Sequence, residues 1–300
     1  MKFPTPASYP YCHFDFDEWN PVQRQISDFL DEKCNLVVAS GTATGKTAIA
    51  EAAMGVALAE SDSSVAVYVS PLKALNEQHF SRWARHVTFE DFPKCLLSSE
   101  NPESKGLLDE SRIVVSTVES LAIQCRLSAG WIRRVSALVF DEAHLIGDAS
   151  RGPVSEEMLM AFTAINPTSR VVLLSGTMHN AKEIASWLKS LNGLPTRFVS
   201  SSWRPSPIEY DVVAVKDFWN SCAEEAVKAS RGKKTLVFVQ SKRLGEEIVR
   251  RLASRGIRCG FFHSGLPRQK KELMVSEFKS EWSDLGIMVC TSSLGMGIDI

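Results

Sequence analysis

Residues 36–47, Leu-Val-Val-Ala-Ser-Gly-Thr-Ala-Thr-Gly-Lys-Thr, join an apolar run to a loop of small residues that ends in Gly-Lys-Thr. The run Leu36–Ala39 is apolar at consecutive positions, which is typical of a strand buried on both faces of a parallel sheet. The amphipathic stretch Thr47–Glu60 predicts a helix directly after the loop. We therefore interpret residues 36–60 as a strand, a loop and a helix.

The same pattern recurs along the first two thirds of the chain. Short apolar runs stand at Val65–Val69, Ile113–Val115, Leu138–Phe140 and Val171–Leu174. Amphipathic stretches lie between them, and Ala181–Leu191 after the last is long enough for a crossover helix. Because strands and helices alternate, the expected class is α/β with an open, doubly wound parallel sheet.

A second series of strands and helices begins after the Pro-rich segment Trp203–Pro207. Its predicted strands are Leu236–Val239, Phe261–Phe262 and Ile287–Cys290, and Lys242–Arg255 is its clearest helix. We expect two domains, residues 1–203 and residues 204–300. The second domain is expected to be incomplete, because barely a hundred residues remain for it.

Composition excludes several classes of protein. The 300 residues are 44% hydrophobic, which excludes a disordered chain. With 34 basic and 35 acidic residues the net charge is −1, which excludes a wholly basic nucleic-acid coat but allows a local basic groove. No apolar run approaches about 18 residues, so no membrane-spanning helix is expected. We expect no signal peptide at the N-terminus, and the seven scattered cysteines predict reduced thiols.

The loop at residues 40–47 has the features of a phosphate-binding loop. Small residues let backbone N–H groups surround phosphate oxygens, the Lys reaches the β- and γ-phosphates, and the hydroxyl that follows binds Mg²⁺. Ser40 stands where the strict pattern has Gly. The alternative is a helix N-terminus that is rich in Gly and Thr by chance. The candidate nucleotide-binding residues are Ser40, Gly41, Thr42, Ala43, Thr44, Gly45, Lys46 and Thr47.

A second motif, Asp141-Glu142-Ala143-His144, follows the apolar strand that ends at Phe140. A carboxylate at the end of a buried strand can hold Mg²⁺, which assigns that role to Asp141 together with Thr47. The adjacent Glu142 can polarise the attacking water as a general base. An acidic helix N-cap is the structural alternative. Lys46, Asp141, Glu142 and His144 are the candidate catalytic residues, and the two motifs together predict ATP hydrolysis.

The rest of the chain, from about Phe14, resembles the superfamily-2 DExH-box helicases. Asn20-Pro21-Val22-Gln23 looks like the Q motif, and the resemblance implies that Gln23 reads the adenine edge while an upstream aromatic ring stacks on the base. Ser175-Gly176-Thr177 stands where the family has Ser-Ala-Thr. Both hydroxyls are retained, so the resemblance implies that Ser175 and Thr177 couple hydrolysis to strand movement.

Further motifs imply a nucleic-acid-binding surface. Residues 70–75 resemble motif Ia, 116–121 motif Ib, 237–243 motif IV and 291–299 motif V, and residues 263–266 read His-Ser-Gly-Leu. The resemblance assigns Gly297 and Asp299 to the nucleotide. It assigns to the nucleic acid the residues Pro71, Lys73, Thr117, Glu119, Gln240, His263 and Thr291. Motif VI, which carries an arginine finger in the family, is not among these 300 residues.

The residues within these motifs indicate which branch of the superfamily-2 helicases the chain resembles. The stretches 141–148, 151–153, 175–183, 203–205 and 263–266 are similar to the superkiller-like branch. Leu-Ile-Gly-Asp at 145–148 and Arg-Gly-Pro at 151–153 look more like archaeal fork-repair DNA helicases than exosome-linked RNA helicases.

The resemblance implies two RecA-like domains, the second truncated, with ATP and Mg²⁺ in the cleft between them. The expected activity is that of an ATP-dependent helicase or translocase acting on single-stranded or forked nucleic acid, with DNA favoured over RNA. We expect a monomeric motor that does not bind membranes, cytoplasmic and nucleoid-associated in a prokaryote or nuclear in a eukaryote. The alternatives are an RNA helicase of the same branch and an ATP-gated clamp that binds nucleic acid without unwinding it.

Overall fold

The computed structural model describes residues 5–71, 73–84, 95–98, 105–176 and 178–291. The chain divides into two compact units, Met1–Pro207 and Ile208–Ile300. Among the described residues, no helix is long and apolar enough to cross a membrane.

The first unit is built on a parallel sheet. Seven of the described strands form it, in the order β3-β4-β2-β5-β6-β1-β7. The strands are β1 (Asn35–Ser40), β2 (Val65–Val69), β3 (Cys95–Ser98), β4 (Ile113–Ser116), β5 (Val135–Phe140), β6 (Arg170–Ser175) and β7 (Thr196–Ser201). The helices are α1 (Pro21–Leu30), α2 (Lys46–Ala59), α3 (Lys73–Ala84), α4 (Lys105–Leu108), α5 (Val118–Arg126), α6 (Gly152–Ile165) and α7 (Ala181–Asn192). Short 3₁₀ helices occupy Pro6–Ser8, Gly130–Arg134 and Ala143–Gly147.

Two hydrophobic clusters cover the two faces of this sheet. Successive residues of β1 alternate between them: Leu36 and Val38 pack in one cluster with α1 and α2, whereas Val37 and Ala39 pack in the other with α5, α6 and α7. Every residue of β1 is buried, as it is in β2, β4 and β6. Burial on both faces explains why these strands read as unbroken apolar runs.

The second unit contains a smaller parallel sheet, in the order β8-β10-β9. Its strands are β8 (Thr235–Val239), β9 (Cys259–Phe262) and β10 (Ile287–Thr291), and its helices are α8 (Phe218–Ala229), α9 (Lys242–Ser254) and α10 (Arg268–Lys279). Ile287 and Val289 of β10 pack in the cluster formed with α8 and α9. Met288 and Cys290 face the opposite cluster, which contains Phe278 of α10.

The α/β class with parallel sheets is confirmed, and each predicted apolar run lies within a strand. Two strands of the first unit, β3 and β7, were not expected from the sequence. Thr196–Ser201 has one buried residue among half-buried and exposed ones, because β7 is an edge strand whose one partner among the described strands is β1. A strand of this kind lacks the continuous apolar run that marks its central neighbours.

Arg170, the first residue of β6, ties helix α1 to the sheet. Its side chain is buried, and burial lowers the pKa of the guanidinium. Nε donates to the carbonyl of Cys34 at 3.0 Å, and Nη1 donates to the carbonyl of Leu30 at 2.5 Å. A cation at the C-terminus of α1 also complements the helix dipole. The sequence pattern did not single out this residue.

We predict that Arg170→Leu lowers the free energy of unfolding by about 2–4 kcal/mol, because buried carbonyls then lose their donors. The measurement is urea denaturation followed by intrinsic fluorescence. Arg197→Leu is the matched control, because Arg197 forms a half-exposed ion pair with Glu32 and its loss should matter much less. Equal effects of the two substitutions would contradict the anchoring role of Arg170.

Candidate nucleotide-binding site

The loop after β1 is closed by hydrogen bonds among its own residues. The hydroxyl of Thr44 donates to the carbonyl of Gly41 at 2.9 Å, and the hydroxyls of Ser40 and Thr44 lie 2.9 Å apart. Both side chains are buried. Ala43 and Gly45 have positive φ angles of 60° and 76°. The Ser40 hydroxyl therefore helps to hold the loop closed, which gives a physical reason for Ser at this position.

Lys46, the first residue of α2, curls back over this loop. Its Nζ donates to the carbonyl of Ser40 at 3.1 Å and to that of Gly41 at 2.8 Å. Burial lowers the pKa of the ammonium, and the carboxylates of Asp141 and Glu142 partly oppose that shift. The N-terminus of a helix and a confined cation thus meet at one loop, which is an environment that favours an anion.

Asp141 follows β5 and is held by two donors. Its Oδ1 accepts a hydrogen bond from the backbone N–H of Glu142 at 2.8 Å, and its Oδ2 accepts one from the Tyr68 hydroxyl at 2.6 Å. Tyr68 is fully buried on the neighbouring strand β2. Burial, followed by the charge of Asp141, raises the pKa of the Tyr68 phenol, which therefore keeps its proton and remains a donor. Sequence analysis missed Tyr68, because the pairing of β2 with β5 is a tertiary fact.

Glu142 adopts a left-handed backbone conformation, with φ 54° and ψ 40°. A positive φ at a residue other than Gly is uncommon and concentrates at functional sites. Burial raises the pKa of its carboxyl, the charge of Asp141 adds to the rise, and His144 and Lys46 oppose it. The carboxylate Oε2 lies 3.3 Å from Nδ1 of His144. The same nitrogen lies 3.4 Å from the hydroxyl of Ser175.

The structure thus brings Glu142, His144 and Ser175 together at the ends of β5 and β6. Thr177, the other residue expected to couple hydrolysis to movement, lies outside the described residues. Thr47 is the second residue of α2 and is half-buried beside Lys46. Thr42 and Ala43 are exposed at the tip of the loop.

The N-terminus of α1 is bonded directly to the same loop. Asn20 caps the helix, and Gln23 completes a capping box by accepting from the N–H of Asn20 at 3.0 Å. The amide of Asn20 donates to the carbonyl of Thr44 at 3.0 Å, and that of Gln23 donates to the carbonyl of Gly45 at 3.2 Å. A Cβ at Gly45 would lie 2.3 Å from Nε2 of Gln23, so a side chain there would displace the Gln23 amide, and the positive φ also favours Gly. The role of Gln23 towards adenine stays a prediction.

An aromatic cluster precedes α1. The rings of Phe14 and Phe16 each contact Trp19, with centroids 5.3 and 5.6 Å apart. Phe16 is exposed, Phe14 is half-buried and Trp19 is buried. Phe14, Phe16 and the exposed Tyr11 are thus accessible aromatic rings upstream of Gln23.

The candidate nucleic-acid contacts of the first unit lie at the ends of β2 and β4, which are adjacent strands. Pro71 follows β2, and Lys73 is exposed at the start of α3. Thr117 caps α5 by accepting from the N–H of Ser120 at 3.2 Å, and Glu119 is exposed in the first turn. Asn76, which sequence analysis missed, joins the two ends: its Nδ2 donates to the carbonyls of Ser70 and Ser116 at 3.2 and 2.9 Å.

The candidate contacts of the second unit lie at the ends of its three described strands. Gln240 follows β8 and is exposed, His263 follows β9 and is half-buried, and Thr291 ends β10. Nδ1 of His263 accepts from the N–H of Gly265 at 3.2 Å. Gly297 and Asp299 lie outside the described residues, as does Leu72 of the motif Ia stretch.

We predict that Glu142→Gln stabilises the protein at neutral pH. A raised pKa means that the folded state pays for keeping this carboxylate charged, and the amide removes that cost. The gain should be present above the raised pKa of Glu142 and should shrink as the pH falls through it. Urea midpoints of wild type and variant, measured from pH 8 down to pH 5, test this. The exposed Glu156→Gln is the control, and a gain that is independent of pH would contradict the explanation.

Comparison with known proteins agrees with this geometry. The DEAD/DEAH box helicase family matches residues 20–184, and the helicase conserved C-terminal domain matches residues 219–300. ATP-dependent DNA helicase Hel308 of Pyrococcus abyssi is 32% identical over 252 residues, covering 78% of this chain and 33% of that protein. Hel308 of Methanocella arvoryzae is 27% identical, covering all of this chain and 47% of that protein. The chain therefore spans about half or less of the length of the curated relatives it matches.

Among solved structures, a similar fold occurs in Mycobacterium smegmatis helicase Lhr, whose structure is described as bound to ssDNA and AMP-PNP. The TM-score is 0.65 at 21% identity, with 93% of this chain and 40% of that chain covered. The family model spans more than half of the chain, and the motifs it matches include the loop, Asp141 and Glu142 described above. The chain belongs to the DEAD/DEAH box helicases of superfamily 2, in the superkiller-like branch that includes Hel308.

Proposed function

We propose that this chain is the motor part of an ATP-dependent DNA helicase or translocase. In this proposal residues 1–203 bind and hydrolyse ATP, and residues 204–300 belong to a second RecA-like domain. The observation that carries it is geometric: Lys46 is bonded to the loop that follows β1, and Asp141 and Glu142 follow β5 at the same edge of the parallel sheet. Both carboxylates act on the ammonium of Lys46.

The residues present fit Mg·ATP. Lys46 is confined against two backbone carbonyls of its own loop, and an incoming phosphate would give the ammonium an anionic partner. Mg²⁺ characteristically binds one or two carboxylates together with substrate phosphates, and Asp141 with the Thr47 hydroxyl offers that set. Among the described residues, no three or more His, Cys, Asp or Glu side chains form a metal cluster of their own.

The two carboxylates have different tasks because their surroundings differ. Asp141 is fixed by Tyr68 and by a backbone N–H, which orients it as a ligand. The carboxyl of Glu142 has a raised pKa, which makes it a stronger proton acceptor for the attacking water. Lys46 and the loop N–H groups stabilise the negative charge on the phosphates. Bound Mg²⁺ would add further neutralisation of that charge.

The proposed substrate is single-stranded or forked DNA, bound by a monomer at the ends of β2 and β4. Support comes from two sources. Thr117 and Lys73 offer a hydroxyl and a cation to phosphates, the groups from which most sequence-independent contacts come. Relatives are named as DNA helicases. An enzyme of this kind would act where the genome lies, in the nucleoid of a prokaryote or the nucleus of a eukaryote.

We predict that Lys46→Ala lowers DNA-stimulated ATP hydrolysis by at least about 100-fold, because the main cation of the phosphate loop is lost. Phosphate release with saturating single-stranded DNA is the measurement. Lys33→Ala, at an exposed position just before β1, is the control and should hydrolyse ATP at the wild-type rate. Near-wild-type hydrolysis by Lys46→Ala would refute the assignment.

Tailed duplexes separate the alternatives to a DNA helicase. A DNA helicase displaces a strand from tailed DNA in an ATP-dependent reaction, whereas an RNA helicase of the same branch would prefer tailed RNA. An ATP-gated clamp would bind either strand when ATP is present and release no product.

We also predict that affinity for single-stranded DNA falls steeply between roughly 50 and 200 mM salt, because phosphate contacts release counterions. The net charge of −1 offers little global attraction, so the contacts must be local. Lys73→Ala should weaken binding and lower the salt slope by about one, while Lys233→Ala, on an exposed turn, should change neither. Fluorescence anisotropy at several salt concentrations measures both. Affinity that is indifferent to salt would exclude a phosphate-contacting surface.

A further inference from the structure

Arg204 lies against the opening of the phosphate loop. Its Nη1 is 3.4 Å from the hydroxyl of Thr42. A Cβ built on Gly41 would lie 2.8 Å from the guanidinium carbon and 3.1 Å from each terminal nitrogen. The guanidinium therefore packs directly on the Gly41 backbone, in a space that any side chain at position 41 would occupy.

The segment around Arg204 holds it in this place. Trp203 packs against the hydrophobic cluster that contains α1 and α2, and its backbone N–H donates to the Ser201 hydroxyl at the end of β7. Pro205 disfavours a helical backbone conformation at Arg204. Because β7 pairs with β1 up to Ser40, the strand that positions Arg204 is the neighbour of the strand that begins the loop.

The contacts of the loop show which end of it Arg204 occupies, because its guanidinium lies against Gly41 and Thr42. Asp141, Glu142 and Arg204 each act on the ammonium of Lys46, the two carboxylates by attraction and Arg204 by repulsion. Asn20 and Gln23 bind the other end of the loop, at Thr44 and Gly45. Arg204 is thus on the side of the groups assigned to hydrolysis, and away from those assigned to adenine.

Two cations that converge on one loop repel each other until an anion lies between them. A guanidinium offers several donors in a planar fork, which suits a phosphate group that carries more than one free oxygen. We propose that Arg204 is a second cationic ligand of the terminal phosphate of ATP, and that it makes the site prefer the triphosphate over the diphosphate. This inference rests on the proposed nucleotide site and adds to it the residue that distinguishes the two nucleotides.

The test is equilibrium binding of AMP-PNP and of ADP, each with Mg²⁺, to wild type and Arg204→Gln by isothermal titration calorimetry. Arg204→Gln should weaken AMP-PNP binding about tenfold and change ADP binding less than about twofold, since one charge-assisted contact is lost. Arg204→Lys should fall between the two proteins. Arg197→Gln, seven residues earlier on β7, should leave both affinities unchanged. Equal melting temperatures establish that the variants are folded.

A second variant tests the contact itself. Gly41→Ala places a methyl group where the guanidinium lies, and the end of the Arg side chain can move away from it. Gly41→Ala should therefore weaken AMP-PNP binding in the wild-type protein but add little to Arg204→Gln, as expected for coupled positions.

The inference is overturned if Arg204→Gln binds both nucleotides as wild type does, if both affinities fall equally, or if AMP-PNP binds more tightly. The last result would mean that Arg204 blocks the site. Failure of the proposed function itself is different, because wild type would then bind neither nucleotide.

Discussion

Parallel pairing of β1, β6 and β5 is the constraint on which the rest of the molecule depends. Leu36 pairs with Val172, and Val139 pairs with the same residue from the other side. Because all three strands run in one direction, their carboxyl ends lie at one edge of the sheet. The phosphate loop follows β1, Asp141 follows β5 and Ser175 is the last residue of β6, so the order of the strands determines where the site lies.

Helix α1 and the edge strand β7 then complete that edge. The capping box of α1 fixes Asn20 and Gln23, whose amides bind the far end of the loop. Arg170 holds the other end of α1 against β6. On the opposite side, β7 carries the chain to Trp203 and Arg204. The phosphate loop is therefore held by α1, which precedes it closely in the sequence, and by the segment after β7, which follows it much later in the chain.

Several groups of the site are in energetically unfavourable environments, and the packed core beneath holds them there. Glu142 has a left-handed backbone, and its carboxyl has a pKa raised by burial. Lys46 has a lowered pKa for the same reason, and Arg204 adds repulsion. Each of these features is unfavourable for a ligand-free protein and favourable for one that binds and cleaves a polyanion. The strands beneath are buried on both faces, which holds these groups in place.

The sequence by itself determined the α/β class, the central strands and the phosphate loop with Asp141 and Glu142. Unbroken apolar runs report burial on both faces, and the two motifs depend on chemistry that is local in the chain. Only the tertiary structure decided the places of Tyr68, Asn76, Arg170 and Arg204. Each of them contacts a strand or loop that is distant in the sequence. In addition, β7 has no apolar run from which the strand could be predicted. The order of the strands depends on packing between segments that are distant in the sequence, so a local sequence pattern cannot predict it.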